Sequence, residues 1–131
     1  MSTSCLASES QPTSLEGLPQ LKISLDQKQQ LLCLDHHPNW QIGRGKKNQI
    51  ILPSKSVSRL HATIELVPVG NLYFAYFSDA GSLNGSFVNQ RPVLDRIFLL
   101  DGDVITLGDA TLTFHYPAQR TQTQLDAFTD A

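Results

Sequence analysis

Basic side chains are concentrated in one short interval of this 131-residue chain. Between positions 41 and 64 there are several lysines and arginines and no aspartate or glutamate. Arginine offers a planar fork of hydrogen-bond donors that matches a phosphate group, and lysine adds positive charge. The interval therefore indicates an anion-binding site, although an ordinary solvated loop is the alternative for the lysines. The basic residues are Arg44, Lys46, Lys47, Lys55 and Arg59.

Neutral polar groups nearby complete the chemistry that such a site needs. Gly43 precedes the first arginine and allows a sharp turn with close ligand approach. A stretch reading Val-Ser-Arg-Leu-His supplies the Ser58 hydroxyl and the His61 imidazole. A later turn segment supplies the hydroxyl of Ser82 and the amide of Asn84, followed by a glycine that favours positive φ.

Short apolar runs, typical of β-strands, separate these residues. Residues 21–25 alternate apolar and polar side chains, which is the period of a half-buried strand. Between the runs lie Gly, Pro, Asn and Asp residues that favour turns. No stretch of the middle region keeps the periodicity of a helix, so the pattern predicts an all-β sandwich or barrel. Further strands are expected near residues 31–34, 40–42, 60–67, 72–77, 87–88, 104–107 and 111–116.

The two ends of the chain differ in composition from the middle. Residues 1–19 are rich in serine and threonine and lack apolar periodicity, which predicts a disordered N-terminal tail. Residues 117–131 are polar and predict a second flexible tail. We therefore expect the folded domain over residues 20–116, a length that can bury a hydrophobic core without a disulfide or a metal.

Composition narrows the class of function. The net charge is −2, whereas general nucleic-acid-binding proteins carry a strong basic excess. No apolar run approaches the roughly 20 residues that cross a bilayer, and the N-terminus lacks the pattern of a secretory signal. The chain has two cysteines, fewer than a small secreted disulfide scaffold would carry. We expect a cytoplasmic protein with neither a nucleic-acid nor a membrane partner.

Four motifs, in order, resemble those of the forkhead-associated (FHA) family. Each is common alone, but the four together at this spacing are specific. The resemblance extends over residues 21–116 and implies a β-sandwich of about eleven short strands, whose loops at one end bind phosphothreonine peptides. The motifs are Ile42-Gly-Arg44, Val57-Ser-Arg-Leu-His61, Gly81-Ser-Leu-Asn-Gly-Ser-Phe-Val-Asn89 and Leu100-Asp-Gly-Asp-Val-Ile-Thr-Leu-Gly108.

The resemblance implies a role for each matching polar residue. Arg44 and Ser58 would contact the phosphate, and Arg59 would contact the phosphate or the peptide beside it. Asn84 would hydrogen-bond the ligand backbone, with Ser82 assisting through water or by shaping the turn. The implied partner is a phosphothreonine-containing protein or peptide, which points to a Ser/Thr kinase or its substrates.

Other motif residues are expected to support the site without touching the ligand. Gly43 and Gly85 would serve backbone geometry, His61 would brace the binding loops, and Asn89 would hold its own hairpin. One departure from the family pattern lies in the site itself. Leu83 occupies a position where some members place a phosphate-binding threonine, so one donor is missing.

Catalysis and metal binding are weaker hypotheses. Ser58, His61 and Asp79 are the types needed for a nucleophilic triad, but no Gly-x-Ser-x-Gly elbow is present. A cluster at Cys33 and residues 35–37 lacks the second ligand pair of a closed zinc site. We therefore expect no enzyme activity, no metal and no cofactor.

Two other modes of binding stay open. Some FHA domains use their sheet faces for phosphate-independent assembly, so the chain is alternatively a scaffold. The tails offer a third possibility. Thr123 is followed three residues later by Asp126, and Thr13 similarly by Glu16, an offset at which family members select residues. Phosphorylation of either threonine would allow self-association, because tethering raises effective concentration.

Overall fold

The protein is described here from a computed structural model that covers residues 17–35 and 37–119. Thr13, Thr123 and most of both predicted tails lie outside the described residues. The strands are β1 (Gln20–Leu25), β2 (Lys28–Cys33), β3 (Asn39–Gly43), β4 (Ile50–Ile51), β5 (Ala62–Val69), β6 (Leu72–Asp79), β7 (Ser86–Val88), β8 (Arg91–Pro92), β9 (Ile97–Phe98), β10 (Val104–Leu107) and β11 (Ala110–His115).

These strands form two sheets, which confirms the predicted all-β sandwich. One sheet has the order β2-β1-β11-β10-β7-β8, and the other has the order β4-β3-β5-β6-β9. The pairings are antiparallel except for β3 with β4, which is parallel. Because β2 and β4 both end their sheets, they lie at the borders of the sandwich.

Alternation of buried and exposed positions makes the core. In β5 the side chains of Ala62, Ile64 and Leu66 are buried, and those between them are partly exposed. A strand presents successive side chains to opposite faces, so this pattern gives each sheet one apolar inner face. Phe77 of β6 and Phe114 of β11 are fully buried in the same apolar cluster. Burial of such side chains contributes about 1.5–3 kcal/mol each.

Three loops emerge at one end of the sandwich. Ile42 pairs with Ala62, and Ala62 pairs with Asp79, so the end of β3, the start of β5 and the end of β6 coincide. We call residues 44–49 the first loop, residues 52–61 the second loop and residues 80–85 the third loop. The second loop also contains Leu52 and Val57, which are buried and anchor it on the core.

Two hairpins turn through residues other than glycine at positive φ. Asp26 and Gln27 join β1 to β2, and Asn89 and Gln90 join β7 to β8, with φ values between 53° and 70°. Positive φ at both central positions is the requirement of a type I′ turn, which matches the twist of the flanking strands. Asparagine and aspartate tolerate this conformation better than most residues do.

The ordered structure continues past the predicted domain boundary at residue 116. The Gln119 side chain is buried, accepts a hydrogen bond from the Asp101 amide at 2.6 Å and donates one to the Leu99 carbonyl at 3.1 Å. Tyr116 is fully buried, and its hydroxyl accepts a hydrogen bond from the Tyr73 amide at 2.8 Å. Within the described residues, no helix has the length and apolar character needed to cross a membrane.

Candidate functional site

The first and second loops are joined through backbone atoms. The Arg44 amide donates to the Ser58 carbonyl at 2.9 Å, and the Gly45 amide donates to the Arg59 carbonyl at 3.0 Å. Asn48 strengthens this junction, because its side-chain amide donates to the carbonyls of Gly45 at 2.8 Å and Arg59 at 2.7 Å. The positions of the two arginine backbones are therefore fixed relative to each other.

Gly43 permits the close approach of these two loops. A Cβ atom built on Gly43 would lie 2.1 Å from the Arg59 carbonyl oxygen, far inside van der Waals contact. At Gly45 the same test gives 3.1 Å, which a small shift would relieve. The glycine before Arg44 is thus required by backbone contact.

His61 joins the second loop to the third. Its imidazole is fully buried, and Nδ1 accepts a hydrogen bond from the Ser58 amide at 3.0 Å. Because Nδ1 is the acceptor, the hydrogen lies on Nε2, which donates to the Gly85 carbonyl at 2.9 Å. In the neutral Nε2–H tautomer, the ring makes one hydrogen bond to the second loop and one to the third.

Two further hydrogen bonds connect the same loops beside the histidine. The Leu83 amide donates to the Ser58 hydroxyl oxygen at 3.0 Å. The Asn84 side-chain amide donates to the Ser56 carbonyl at 2.8 Å. Arg44, Ser58 and Asn84 are thus brought together by contacts between three loops that are distant in sequence.

The third loop is built around the carboxylate of Asp79. This group accepts hydrogen bonds from the amides of Gly81 and Ser82, both at 2.8 Å, and from the hydroxyls of Ser82 and Ser86. Partial burial alone would raise the pKa of Asp79, but these donors together outweigh it and hold the pKa below its usual range. Ser82 also accepts from the Gly85 amide at 2.9 Å.

Several polar groups at the junction of the loops are available to a ligand. Arg44 uses Nε to donate to the Val57 carbonyl at 3.0 Å, which orients the guanidinium and leaves its terminal nitrogens for another acceptor. The Ser58 hydroxyl oxygen accepts from Leu83, so its hydrogen is available to donate. Asn84 uses its amide nitrogen, and its side-chain oxygen is available to accept a hydrogen bond.

In the described part of the chain, the basic residues around this junction form no ion pair with an acidic side chain. Within residues 17–35 and 37–119, the ion pairs involve Arg96 with Glu65 and His115 with Asp101. None of the basic residues of the first and second loops takes part in one. The five cations are Arg44, Lys46, Lys47, Lys55 and Arg59.

Comparison with known proteins identifies this arrangement. The FHA domain family model matches residues 40–108, which includes all three loops. The chain belongs to the FHA family.

Among curated proteins, the chain is 42% identical over 74 residues to the ABC transporter ATP-binding/permease protein Rv1747 of Mycobacterium tuberculosis. It is 38% identical over 77 residues to the glycogen accumulation regulator GarA of Mycolicibacterium smegmatis. These matches cover 56% and 59% of this chain, but 8% and 46% of the two relatives. The shared part is therefore the FHA domain, not the whole of either relative.

A solved structure from work on phosphothreonine-dependent FHA domain interactions is 34% identical to this chain, with a TM-score of 0.61. The match covers 73% of this chain and 95% of that one. The FHA family is a family of binding modules, and its members include regulators such as GarA. In another solved structure, the MEK1 FHA domain is in complex with the HOP1 pThr peptide.

The geometry of this FHA domain does not form a nucleophilic triad. Nδ1 of His61 faces the Ser58 amide, and Nε2 faces Gly85, so neither ring nitrogen serves the Ser58 hydroxyl. Asp79 is bonded to the third loop, with no hydrogen bond to the histidine. In the parts of the chain that the structure describes, no group of three His, Cys, Asp or Glu side chains is placed to hold a metal ion; His36 is outside these parts.

Two residues that the sequence predicted near the site have structural roles instead. Asn89 lies away from the three-loop junction, and the Ser82 hydroxyl is hydrogen-bonded within the third loop. Asn89 is in the β7–β8 turn, where its side chain donates to Asp103 at 2.9 Å and accepts from the Val104 amide at 3.0 Å. Ser82 donates to Asp79 and accepts from Gly85, so its hydroxyl shapes the third loop.

Asn48, Ser56 and Asp79 organise the site, although their sequence context gave little reason to assign them that role. Asn48 fixes the first loop, and the Ser56 carbonyl orients Asn84. An Asp followed by Gly and Ser two and three residues later is the one local signal, since aspartate side chains accept hydrogen bonds from backbone amides just ahead of them. The contacts of Asn48 and Ser56 depend on distant parts of the chain.

Proposed function

We propose that this FHA domain is a phosphothreonine-dependent protein-interaction module and not an enzyme. The observation that carries the proposal is the convergence of the Arg44 guanidinium, the Ser58 hydroxyl and the Asn84 amide on three mutually bonded loops. The first two would donate to the phosphate. Asn84 would accept from the ligand backbone, and Arg59, exposed on the second loop, would contact flanking residues.

Charge favours a dianionic ligand at this place. A phosphothreonine carries close to two negative charges at neutral pH and three acceptor oxygens. Each hydrogen bond to a charged group contributes about 1.5–3 kcal/mol, so two or three of them supply much of the roughly 8 kcal/mol of a micromolar complex. Binding should weaken with added salt, because the surrounding cations are exposed and screened.

The proposed partners are proteins phosphorylated by a Ser/Thr kinase, or such a kinase itself. The phosphothreonine dependence of FHA interactions in the solved relative supports this choice. The proposed place of action is the cytoplasm, where protein kinases and their substrates meet.

The test is a titration with a degenerate phosphothreonine peptide library on three proteins. Arg44→Ala removes the phosphate contact, and Arg91→Ala removes one exposed positive charge from β8, outside the three loops. We expect wild type and Arg91→Ala to bind alike and Arg44→Ala to bind about ten- to hundredfold more weakly. Binding that survives in Arg44→Ala, or that is equal for unphosphorylated peptides, contradicts the proposal.

A phosphate-independent scaffold is the second candidate, favoured by the outer face of the five-stranded sheet. Phe98 is 38% exposed and lies beside Phe74 and Tyr76, with ring centroids 5.3 and 5.6 Å away. Arg96 stacks over the Tyr76 ring at 4.0 Å. Aromatic residues and arginine are enriched in protein interfaces. Phe98→Ser would abolish scaffold binding and leave phosphopeptide binding unchanged.

A further inference from the structure

Strand β2 is exposed on both of its faces over its first four residues. Residues 28–31 are all exposed, where a sandwich strand normally alternates. Gln30 pairs with Ile23, and Lys28 pairs with Leu25, so these polar side chains share the inner face of the sheet with apolar neighbours. The five-stranded sheet does not cover this face, because its edge strand on that side, β4, is only two residues long.

The uncovered face forms a groove between the borders of the two sheets, which we call the edge groove. Its volume is about 540 Å³, within the range of cavities that hold small ligands. Its apolar lining is Ile23, Leu25, Ile51, Leu52 and Pro53. Ile51 is 47% exposed, so an isoleucine side chain stands open to solvent there.

The edge groove continues toward the three loops. An adjoining cavity of about 410 Å³ shares Leu25, Lys28 and Pro53 with it and reaches Ser54 of the second loop. The Ser54 hydroxyl lies 2.9 Å from that of Ser56, whose carbonyl accepts the hydrogen bond from Asn84. We call the end of the groove at Ser54 its upper end. It therefore adjoins Asn84, the residue that is proposed to bind the ligand backbone.

We propose that the edge groove binds an apolar side chain of the same phosphothreonine partner, so that one segment occupies two subsites. This inference rests on the proposed function. Because Ser54 and Ser56 lie between Asn84 and the groove, and an extended chain advances about 3.3 Å per residue, the apolar residue would lie more than about three positions from the phosphothreonine. The groove then determines specificity at a distance from the phosphate.

Charged residues at the upper end of the edge groove restrict which peptide segments can lie there. The carboxylates of Asp26 and Asp109 line that end, with Lys28 beside them. An acidic segment would be repelled there, whereas the phosphate subsite attracts negative charge. The selected sequence should therefore combine a phosphothreonine with a neutral or basic connecting segment and a leucine, isoleucine, valine or phenylalanine.

The experiment starts from a phosphothreonine peptide library with ten randomised residues on each side. The tightest sequence is then compared with a version truncated to three residues on each side, on wild type and two variants. Ile51→Asp places a charge in the groove, and Val69→Asp makes the same change at a residue 44% exposed at the end of β5. Both positions are open to solvent, so both variants should fold.

We expect the long peptide to bind wild type and Val69→Asp about tenfold or more tightly than the truncated one. Ile51→Asp should abolish this difference and leave binding of the truncated peptide unchanged. Methyl resonances of Leu25 and Ile51 should shift with the long peptide only.

The outcomes separate this inference from the proposed function. Equal affinity of the two peptides, or an Ile51→Asp variant that keeps the difference, overturns the groove proposal while phosphate-dependent binding stands. Absence of binding by any phosphorylated peptide overturns both. A concentration-dependent dimer that Ile51→Asp disrupts, with no peptide effect, would assign the groove to a second copy of the chain and overturn the proposed occupant.

Discussion

The Nε2 atom of His61 lies 2.9 Å from the carbonyl oxygen of Gly85, which is 24 positions further along the chain. This contact joins the end of the second loop to the third loop, which carries Asn84. The other ring nitrogen accepts from the Ser58 amide, so one neutral imidazole holds two ligand-facing segments at a fixed separation. Both bonds are shielded from water by the complete burial of the ring.

Replacing His61 with phenylalanine keeps most of the volume but removes both hydrogen bonds. We expect the free energy of unfolding to fall by about 1–3 kcal/mol, because the partly buried Ser58 amide loses its hydrogen-bond acceptor. Phosphopeptide affinity should fall as well. Denaturant titration measures the first effect, and His115→Phe is the control, since that side chain is 55% exposed. Equal stability of the two variants would contradict this role.

Substitutions at neighbouring glycines should differ in effect. Gly43→Ala would place a methyl group 2.1 Å from the Arg59 carbonyl, whereas Gly45→Ala would place it at 3.1 Å. We expect Gly43→Ala to lower both stability and phosphopeptide affinity clearly more than Gly45→Ala, because it forces the first two loops apart. Thermal unfolding and peptide titration on both variants test the order, and the reverse order would refute the close-approach argument.

Acid should weaken the third loop through Asp79. The pKa of Asp79 is lowered in the folded protein, because its hydrogen-bond donors outweigh the effect of burial. A lowered folded pKa gives stability that is present above the unfolded value of about 3.8 and is lost as pH falls through the folded pKa. Asp79→Asn should therefore be less stable than wild type at pH 7, with a smaller loss of stability below pH 4.

The control for this titration is Asp95→Asn, since Asp95 is exposed outside the three loops. That variant leaves the third loop untouched and should be as stable as wild type at pH 7. An Asp79→Asn protein whose acid unfolding matched that of wild type would show that the carboxylate does not stabilise the loop.

Leu83→Thr should strengthen phosphopeptide binding. Leu83 is 89% exposed beside Asn84, so the change disturbs no packing. A threonine there would restore the hydroxyl donor that some FHA members place at this position, and one more hydrogen bond to the charged phosphate would improve the dissociation constant about tenfold. Calorimetric titration with one phosphopeptide measures the change, and Leu83→Val controls for branching. Equal affinities in the threonine and valine variants would show that the hydroxyl does not reach the phosphate.

Local sequence patterns predicted the long strands, whereas the shortest strands are defined only by their pairing with neighbouring strands. Strands β1, β5, β6, β10 and β11 have runs long enough to show alternation or β-forming composition. By contrast, β4, β8 and β9 are two residues each and have no periodicity to detect. The β2 strand begins at Lys28, before the apolar run that was predicted at 31–34, because its first residues are polar and exposed.

The candidate site divides in the same way. Arg44, Ser58 and Asn84 stand in recognisable motifs, and the structure brings them together. Asn48 acts through a backbone carbonyl 11 positions away, a contact that no local pattern encodes. The edge groove was equally hidden, since it results from the shortness of β4 and from the register of β1 with β2.

The hydrogen bonds between the loops also have a kinetic consequence. Because the loops are fastened before any ligand arrives, association requires little rearrangement and should proceed at rates typical of preformed protein surfaces, about 10⁵–10⁷ M⁻¹s⁻¹. At a micromolar dissociation constant, a complex formed at such rates lasts on the order of 0.1–10 s. The complex would then dissociate within seconds of dephosphorylation of the partner. The duration of the signal would therefore be set by the kinase and the phosphatase, not by the domain.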